Sequence, residues 1–425
     1  MDSIILRNIY CDGVLSDIYI EGELIRKICP ASEPARDGGE TGSGTEVIDC
    51  KGKTAVPAFV NMHTHAAMSL MRGVGEDILF GEWLAKIWKM EEKIDAEFVY
   101  WGTKVACLEM IRTGTATFND QYWHTAMGRK AAVETGIRPI VSFVAIDRND
   151  KAETERQKEQ CFRTFEEFRS HSDGAVFSAA FHAIYSVSEE LMLWTADFAR
   201  KNGLRLHIHL SETENEVLDC RAQHGGLSPV EYLDRLGILD SNVIAAHTLW
   251  LDGKDVEILG RRKVNCVHNV NSNTKLSSGY RFLYNELRDA GANVCIGTDG
   301  CASSNNLDML EAMKTSALFQ KAWRKDPEAL PLGELMNLAT VNGAKALGLG
   351  TGSLKEGNFA DICIVDTDNS FFLSPGSFLS NFIYSAHSDC IESMIAAGRF
   401  VMRDREVEGA REILENARKQ LHKIM

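Results

Sequence analysis

Imidazoles and carboxylates recur in this chain at spacings suited to chemistry. The segment NMHTH carries His63 and His65 two residues apart, which on an extended backbone puts both rings on one face, close enough to share an ion. Downstream, HIHLSETENEV carries His209 with Glu212 three residues later, VIAAH ends in His247, and GTDG holds Asp299. Three imidazoles and one carboxylate suit Zn²⁺ or Fe²⁺ with a position left for solvent. One divalent metal per chain is therefore expected on His63, His65, His209 and Asp299, with Zn²⁺ ahead of Fe²⁺. His207 alternates with His209 on the same face, so spacing alone does not choose between them; Glu212, placed just after His209, favours His209.

A hydrolytic metal site needs deprotonated water, a base for its remaining proton and an acid for the leaving group. Asp299 would bind metal through one oxygen and accept the water's proton through the other. Glu212 would carry that proton to a ring nitrogen, and His247 would hold the attacking hydroxide or stabilise the tetrahedral centre. A purely structural reading of the same segment has Ser211 capping a helix, with Glu212 or Glu214 complementing its dipole. The segment AVFSAAFH contains no lysine, the residue whose carbamate bridges two metals in binuclear relatives of this chemistry.

These positions need a scaffold that brings them to one rim. From about Val56 to Gly350, eight short apolar strands alternate with amphipathic helices: VPAFVNM, TATFND, RPIVSFV, AVFSAAFH, LRLHIHL, NVIAAH, KVNCVH and NVCIGTD. The helical segments between them include EFVYWGTKVACLEMIRTG, stopped by Gly114, SEELMLWTADFARKNG, stopped by Gly203, and the stretch around LDMLEAMKTSALFQ. Eight such units predict an α/β fold of the (β/α)₈ TIM-barrel type, and no G-x-G-x-x-G follows the first strand to favour a nucleotide-cofactor sheet. Barrel active sites form at the C-terminal strand ends. There the polar residues fall: His63 and His65 at strand one, Asn119 and Asp120 at two, His182 at four, His209 at five, His247 at six, His268 with Asn269 at seven, and Asp299 at eight. Six of the 12 histidines occupy this rim, too many for a scatter of structural imidazoles.

The first fifty residues read differently, as short strands (SIILRNIY, SDIYIEG, ELIRKICP, EVIDC) around a Gly/Ser/acid loop, ASEPARDGGETGSGTE. The far end repeats the idiom in GSLKEGNFADICIVD and MIAAGRFVMRDREV before a closing helix, AREILENARKQLHKI. The two pieces, 1–55 and 351–425, are expected to form one small discontinuous β-sandwich domain beside a barrel spanning 56–350.

Composition narrows the partners. With 46 Lys+Arg against 60 Asp+Glu the net charge is −14, and no basic run interrupts it, so nucleic acid and anionic membrane faces are poor partners and a small molecule is the expected one. Eleven cysteines include no C-x-x-C pair, which fits neither a disulfide framework nor a thiolate zinc module and points to the cytoplasm. The opening MDSIILRNIYCDGVL has no basic region followed by a long apolar stretch, and nowhere do 18 apolar residues run together; neither export nor a membrane span is expected. A homo-oligomer is left open.

With VPAFVNMHTHAAMSLMRGVGED, HIHLSET, VIAAHTLWL, NSNTKL and GTDGCASSNNLDM in order, the chain resembles the amidohydrolase superfamily. More narrowly, it resembles its 5-methylthioadenosine/S-adenosylhomocysteine deaminases and the related guanine deaminases and triazine hydrolases. The resemblance runs over almost the whole length. It implies hydrolytic deamination of an adenine nucleoside such as adenosine, methylthioadenosine or S-adenosylhomocysteine, with His63, His65, His209 and Asp299 as ligands, Glu212 as proton shuttle and His247 at the reacting centre. It also implies substrate contacts from Trp83 in the E-W-L segment, from a following acid that matches Glu91 (Glu92 is the neighbour) and binds ribose hydroxyls, and from His182.

The sequence departs from that family pattern in several places. HNVNSNTKL replaces the common H-N-P-x-S-N, FHAIYSVS replaces a proline-containing segment, and Cys301 stands where a small apolar residue is usual. At the end of strand three, where relatives accepting S-adenosylhomocysteine carry arginine, the best-matching position is Phe143, which predicts a preference for a neutral or apolar 5′ group. Arg148 and Arg156 lie in the polar stretch DRNDKAETERQ and read as solvated. The competing readings are an aminohydrolase of a free base, pterin or triazine, and a metal-binding barrel without catalysis. A cyclic-amide hydrolase is disfavoured by the missing lysine, and the zinc deaminases built on P-C-x-x-C are excluded.

Overall fold

The computed structural model describes residues 3–31 and 44–424. Most of the expected Gly/Ser/acid loop, residues 32–43, lies outside the described residues. Eight parallel strands follow one another around a barrel in chain order: Phe59–Thr64, Thr115–Gln121, Arg138–Ala145, Val176–Phe181, Leu206–Leu210, Val243–His247, Asn265–His268 and Asn293–Ile296, called barrel strands one to eight below. Strand eight meets strand one through the Asp299 amide, which donates to the His63 carbonyl at 2.9 Å. Asn61 seals the same seam: its Nδ2 donates to Thr298 Oγ1 at 2.7 Å, and its Oδ1 accepts from the Thr298 amide at 3.1 Å. A Cβ at Gly297 would lie within 3 Å of His63 backbone and side chain, so glycine there lets strand eight close against the first metal-ligand candidate.

The helices form where apolar periodicity and end signals coincide. Ala96–Arg112 begins at Asp95, whose side chain accepts from the Phe98 amide, and ends before Gly114, which adopts φ +89. Glu189–Lys201 and Met309–Arg324 occupy the other two helical segments read from sequence. Between strands and helices lies one continuous apolar layer that includes Phe118, Phe181, Leu206, Ile208 and Ile296.

The apolar run VPAFVNM is split between two sheets. Lys53–Pro57 pairs antiparallel with Ile362–Asp366, and barrel strand one begins only at Phe59. The second sheet takes its eight strands from both ends of the chain: Ser3–Cys11, Val14–Glu21, Leu24–Pro30, Thr45–Asp49, Lys53–Pro57, Ile362–Asp366, Ile391–Ala396 and Arg399–Met402. It has its own apolar cluster, with Leu6, Ile9, Ile18, Ile25 and Ile362 fully or almost fully buried. Arg138, at the start of barrel strand three, reaches across to Asp361 at 2.8 Å, and both side chains are buried. The closing helix, Ala410–Gln420, packs on Ala96–Arg112.

Candidate active site

Four imidazoles converge at the C-terminal mouth of the barrel, each held by its Nδ1. His65 Nδ1 donates to the Gln121 carbonyl at 2.6 Å, His209 Nδ1 to the His182 carbonyl at 2.9 Å, and His247 Nδ1 to Asn273 Oδ1 at 2.8 Å. His63 Nδ1 lies 2.8 Å from His207 Nε2. In every case Nε2 is left to face the centre. His65 and His209 bring these nitrogens within 3.3 Å of each other, while Asp299 Oδ1 stands 3.4 Å from His63 Nε2 and 3.3 Å from His65 Nε2. Two geometric groups result among the described residues, His63 with His209 and His247, and His63 with His65 and Asp299.

This donor set fits a cation. With Nδ1 of His65 and His209 committed as donors, their Nε2 atoms present lone pairs to each other, and His63 Nε2 is fully buried without a hydrogen-bond partner. Protonation does not supply the missing positive charge, because burial lowers the His63 imidazole to about 4 and holds His209 well below its ordinary value. Burial opposes the charge on Asp299, but His63, His65 and His247 outweigh it and keep the carboxyl below the usual range. Neutral imidazoles and an ionised carboxylate aimed at one point are what a divalent zinc-type ion requires.

The two acid–base candidates border this point. Glu212 Oε1 is 3.8 Å from His247 Nδ1, and Asp299 Oδ2 is 3.9 Å from His247 Nε2 while accepting from Ser272 Oγ at 2.6 Å. Burial, and then the neighbouring Asp299 charge, raise the Glu212 carboxyl to about 8. Backbone strain gathers here too: Ser211, His247 and Asp299 all have positive φ, at +52, +73 and +63.

The helix after strand five is capped by Thr213 rather than Ser211. Glu212 is thereby free of the capping role and turns inward to line the cavity together with His65, His182, His209, His247 and Asp299. Trp83 and Glu91, at the two ends of one helix face, line the same cavity. Trp83 Nε1 donates to the Ala302 carbonyl at 3.2 Å, and burial raises the Glu91 carboxyl. His182 Nδ1 pairs with Ser186 Oγ at 2.8 Å, and burial lowers its imidazole to about 3. Glu92 is exposed and faces only the adjoining cavity.

Phe143 is not among the residues brought to this centre. It lines only the neighbouring cavity, whereas Val144 and, past the strand end, Ile146 line both that cavity and the one that holds the imidazole cluster. Arg156 is solvated as expected, paired with Glu153. Arg148 is exposed but not free: its guanidinium lies 5.0 Å over the Trp88 ring, at the edge of the neighbouring cavity. Asp120 stays out of the metal centre and instead accepts from the Ala66 amide and Thr64 Oγ1. His268 stacks on Phe282 with centroids 4.1 Å apart.

Sequence reasoning missed several supporting residues. Ser272 and Asn273 sit in NSNTKL, a segment that carried the family resemblance without pointing to a role for either residue, and they hold Asp299 and His247. Tyr122 and Trp88 complete the cavity wall. Cys301 is buried 3.5 Å from Arg72.

The chain matches the sequence profile of the amidohydrolase family over residues 54–401. It belongs to that family. This amidohydrolase is 42% identical over 417 residues to a 5′-deoxyadenosine deaminase of Methanoregula boonei, covering 98% of this chain and 93% of the relative. It is 40% identical over 408 residues to a 5-methylthioadenosine/S-adenosylhomocysteine deaminase of Thermococcus sibiricus, covering 94% of each. Its fold superposes with a TM-score of 0.90 on an adenosine deaminase from Xanthomonas campestris with bound zinc, at 29% identity over 99% of this chain and 98% of the other.

Proposed function

We propose that this amidohydrolase deaminates an adenine nucleoside to the hypoxanthine nucleoside and ammonia, using one Zn²⁺ per chain held by His63, His65, His209 and Asp299. The observation that carries the reading is the buried Glu212 carboxyl set beside His247 and Asp299 at the mouth of the barrel. Its support comes from relatives named as deaminases of 5′-deoxyadenosine and of methylthioadenosine/S-adenosylhomocysteine.

Zn²⁺ supplies, when bound, Lewis acidity and water acidified toward neutral pH. In the net reaction a C6–O bond forms from water, the C6–N bond of the exocyclic amine breaks, and the nitrogen leaves as ammonia. A Glu212 carboxyl raised to about 8 is protonated near neutral pH, so it can hand its proton to N1 of the purine as C6 is attacked. Asp299, kept ionised by its imidazole neighbours, accepts the proton given up by water. His247, fixed at Nδ1 by Asn273, turns its Nε2 lone pair toward the reacting centre and holds the attacking water there as an acceptor. Glu91 accepts from the ribose hydroxyls, and Trp83 and His182 flank the nucleoside. We propose residues 56–350 as the catalytic unit and 1–55 with 351–425 as the accessory one. The eleven cysteines, all unpaired, support a cytoplasmic setting, and among the described residues no helix is long and apolar enough to cross a membrane.

Val144 and Ile146 offer apolar surface to the 5′ side, which favours 5′-deoxyadenosine or methylthioadenosine. Arg148, stacked on Trp88 at the rim of the adjoining cavity, favours a second reading in which a carboxylate-bearing 5′ tail is also accepted. The test is kcat/KM for 5′-deoxyadenosine, methylthioadenosine, adenosine, S-adenosylhomocysteine and adenine side by side, at two ionic strengths and in Arg148→Met. The nucleoside reading fails if adenine is the best substrate. The apolar preference fails if S-adenosylhomocysteine leads and loses that lead with added salt or with Arg148→Met.

A further inference from the structure

The turn that aims Glu212 into the cavity is held by a second buried carboxylate. Glu216 is 6% exposed, in the first turn of the helix Glu214–Gln223. Its Oε1 accepts from the Ser211 amide at 2.9 Å and its Oε2 from the Glu212 amide at 2.8 Å. A T-x-x-E start such as Thr213–Glu216 is the signature of a reciprocal capping box, in which the glutamate would return to the amide of the capping residue itself. Only half of that box is made. Thr213 Oγ1 accepts from the Glu216 amide at 3.1 Å, but the Glu216 carboxylate passes Thr213 and serves the two residues before it.

Helix capping alone does not explain that carboxylate's choice of partners. In the capping boxes at Ser228 and Asp252 the acid returns to the amide of the capping residue, whereas here both oxygens are spent on the turn before it. Ser211 needs such support, since it holds φ +52, a conformation that a residue with a side chain adopts reluctantly. The other side of the same turn is also fixed: the Ser211 carbonyl accepts from the Leu249 amide at 3.1 Å and the Trp250 amide at 2.9 Å, two and three residues after His247. Glu212 and His247 are thus mounted on one hydrogen-bonded frame, whose amide side Glu216 secures.

Resting on the deaminase reading of Glu212, we infer that Glu216 is a positioning residue for the reaction: it fixes the Ser211–Glu212 turn so that the Glu212 carboxyl meets the substrate ring in register with His247. It touches no reacting atom. Its effect runs entirely through Glu212.

That dependence gives the test. In metal-loaded protein, Glu216→Gln keeps the side-chain volume and one acceptor oxygen but turns an NH₂ against the second amide. It should lower kcat by about 10²-fold, the scale of an ångström-sized misplacement of a reacting group, with KM, metal content and thermal midpoint near their wild-type values. Placed in a Glu212→Gln background, the same substitution should cost no further activity, because the group it positions has already been removed. Amide hydrogen exchange supplies a readout independent of turnover: Ser211 and Glu212 should lose protection while Leu206–Leu210 keep theirs. If Glu216→Gln does not accumulate, Glu216→Asp, which reaches only one of the two amides, carries the same comparison.

Unchanged kcat, equal losses in both backgrounds, or unchanged protection at Ser211 and Glu212 would overturn the inference. A wild-type protein inactive on every adenine nucleoside would instead overturn the deaminase reading, and with it Glu216's positioning role in that reaction. The exchange data would then still decide whether Glu216 holds the turn.

Discussion

His207 Nε2 lies 2.8 Å from His63 Nδ1, so a fully buried imidazole inside the barrel sets the orientation of a candidate metal ligand at its rim. His207 is itself bracketed at Nδ1 by Asn119 Nδ2 at 3.2 Å and Ser142 Oγ at 3.4 Å. Partners of this kind fix the ring and tautomer of a ligand.

The first prediction follows from that pair. His207→Phe should weaken Zn²⁺ binding by the ~10–100-fold typical of a lost outer partner, measured by competition with a chromophoric chelator. His63→Ala with His65→Ala should abolish binding. Wild-type protein should take up one equivalent; two equivalents on elemental analysis would contradict the single site.

Glu212→Gln should lower kcat by at least the ~10²-fold associated with loss of general acid–base catalysis while retaining metal. Since burial and the Asp299 charge raise the Glu212 carboxyl to about 8, the acid form that donates to the ring is lost as pH rises through that value. The alkaline limb of the wild-type kcat profile should vanish in the variant. A metal-replete variant with near-normal kcat would remove Glu212 from the proton path.

For Glu91 the readout is KM. A carboxylate accepting from ribose contributes ~1.5–3 kcal/mol per hydroxyl bond, so Glu91→Ala should raise KM for 5′-deoxyadenosine by at least ~10–100-fold, the loss of one such bond. Glu92→Ala, on the exposed side, should not. The reverse ranking would transfer the ribose contact to Glu92.

His268, stacked on Phe282, is held neutral by burial, with its imidazole lowered to about 3. An unfolded histidine titrates near 6.5. Between these values the unfolded chain binds a proton that the folded one refuses, so His268 lends full stability above about pH 6.5 and loses it progressively as pH falls toward 3. Per proton the slope is ~1.4 kcal/mol for each pH unit. Replacing His268 by Gln should remove about one proton from the pH dependence of the urea midpoint between pH 6 and 4; an unchanged slope would refute it.

Much of this protein is legible in one dimension. A strand side chain alternates with period two and a barrel gathers its strand ends at one rim, so the positions of His63, His65, His209, His247 and Asp299 along the chain are enough to pick them out as converging. The eight strands follow from the same periodicity, because an apolar run of four to eight residues between turn signals has few other places to go. Ser272 and Asn273 stayed hidden because a hydroxyl and an amide carry no periodic mark; what they do depends on which side chain a neighbouring strand delivers to them.

Three features were decided by the tertiary structure. Period two puts His207 and His209 on the same face, and although Glu212 favours His209 as the rim residue, only closure of the barrel places His207 below it against His63. The run VPAFVNM reads as one strand, and pairing of Lys53–Pro57 with Ile362–Asp366, from the other end of the chain, cuts it between two sheets. Phe143 and Val144 differ by one position at the end of a strand, and the way barrel strand three packs between its neighbours lets Val144 reach both cavities while Phe143 reaches only the outer one. In each case the local pattern is compatible with two answers, and contacts with residues far along the chain choose between them.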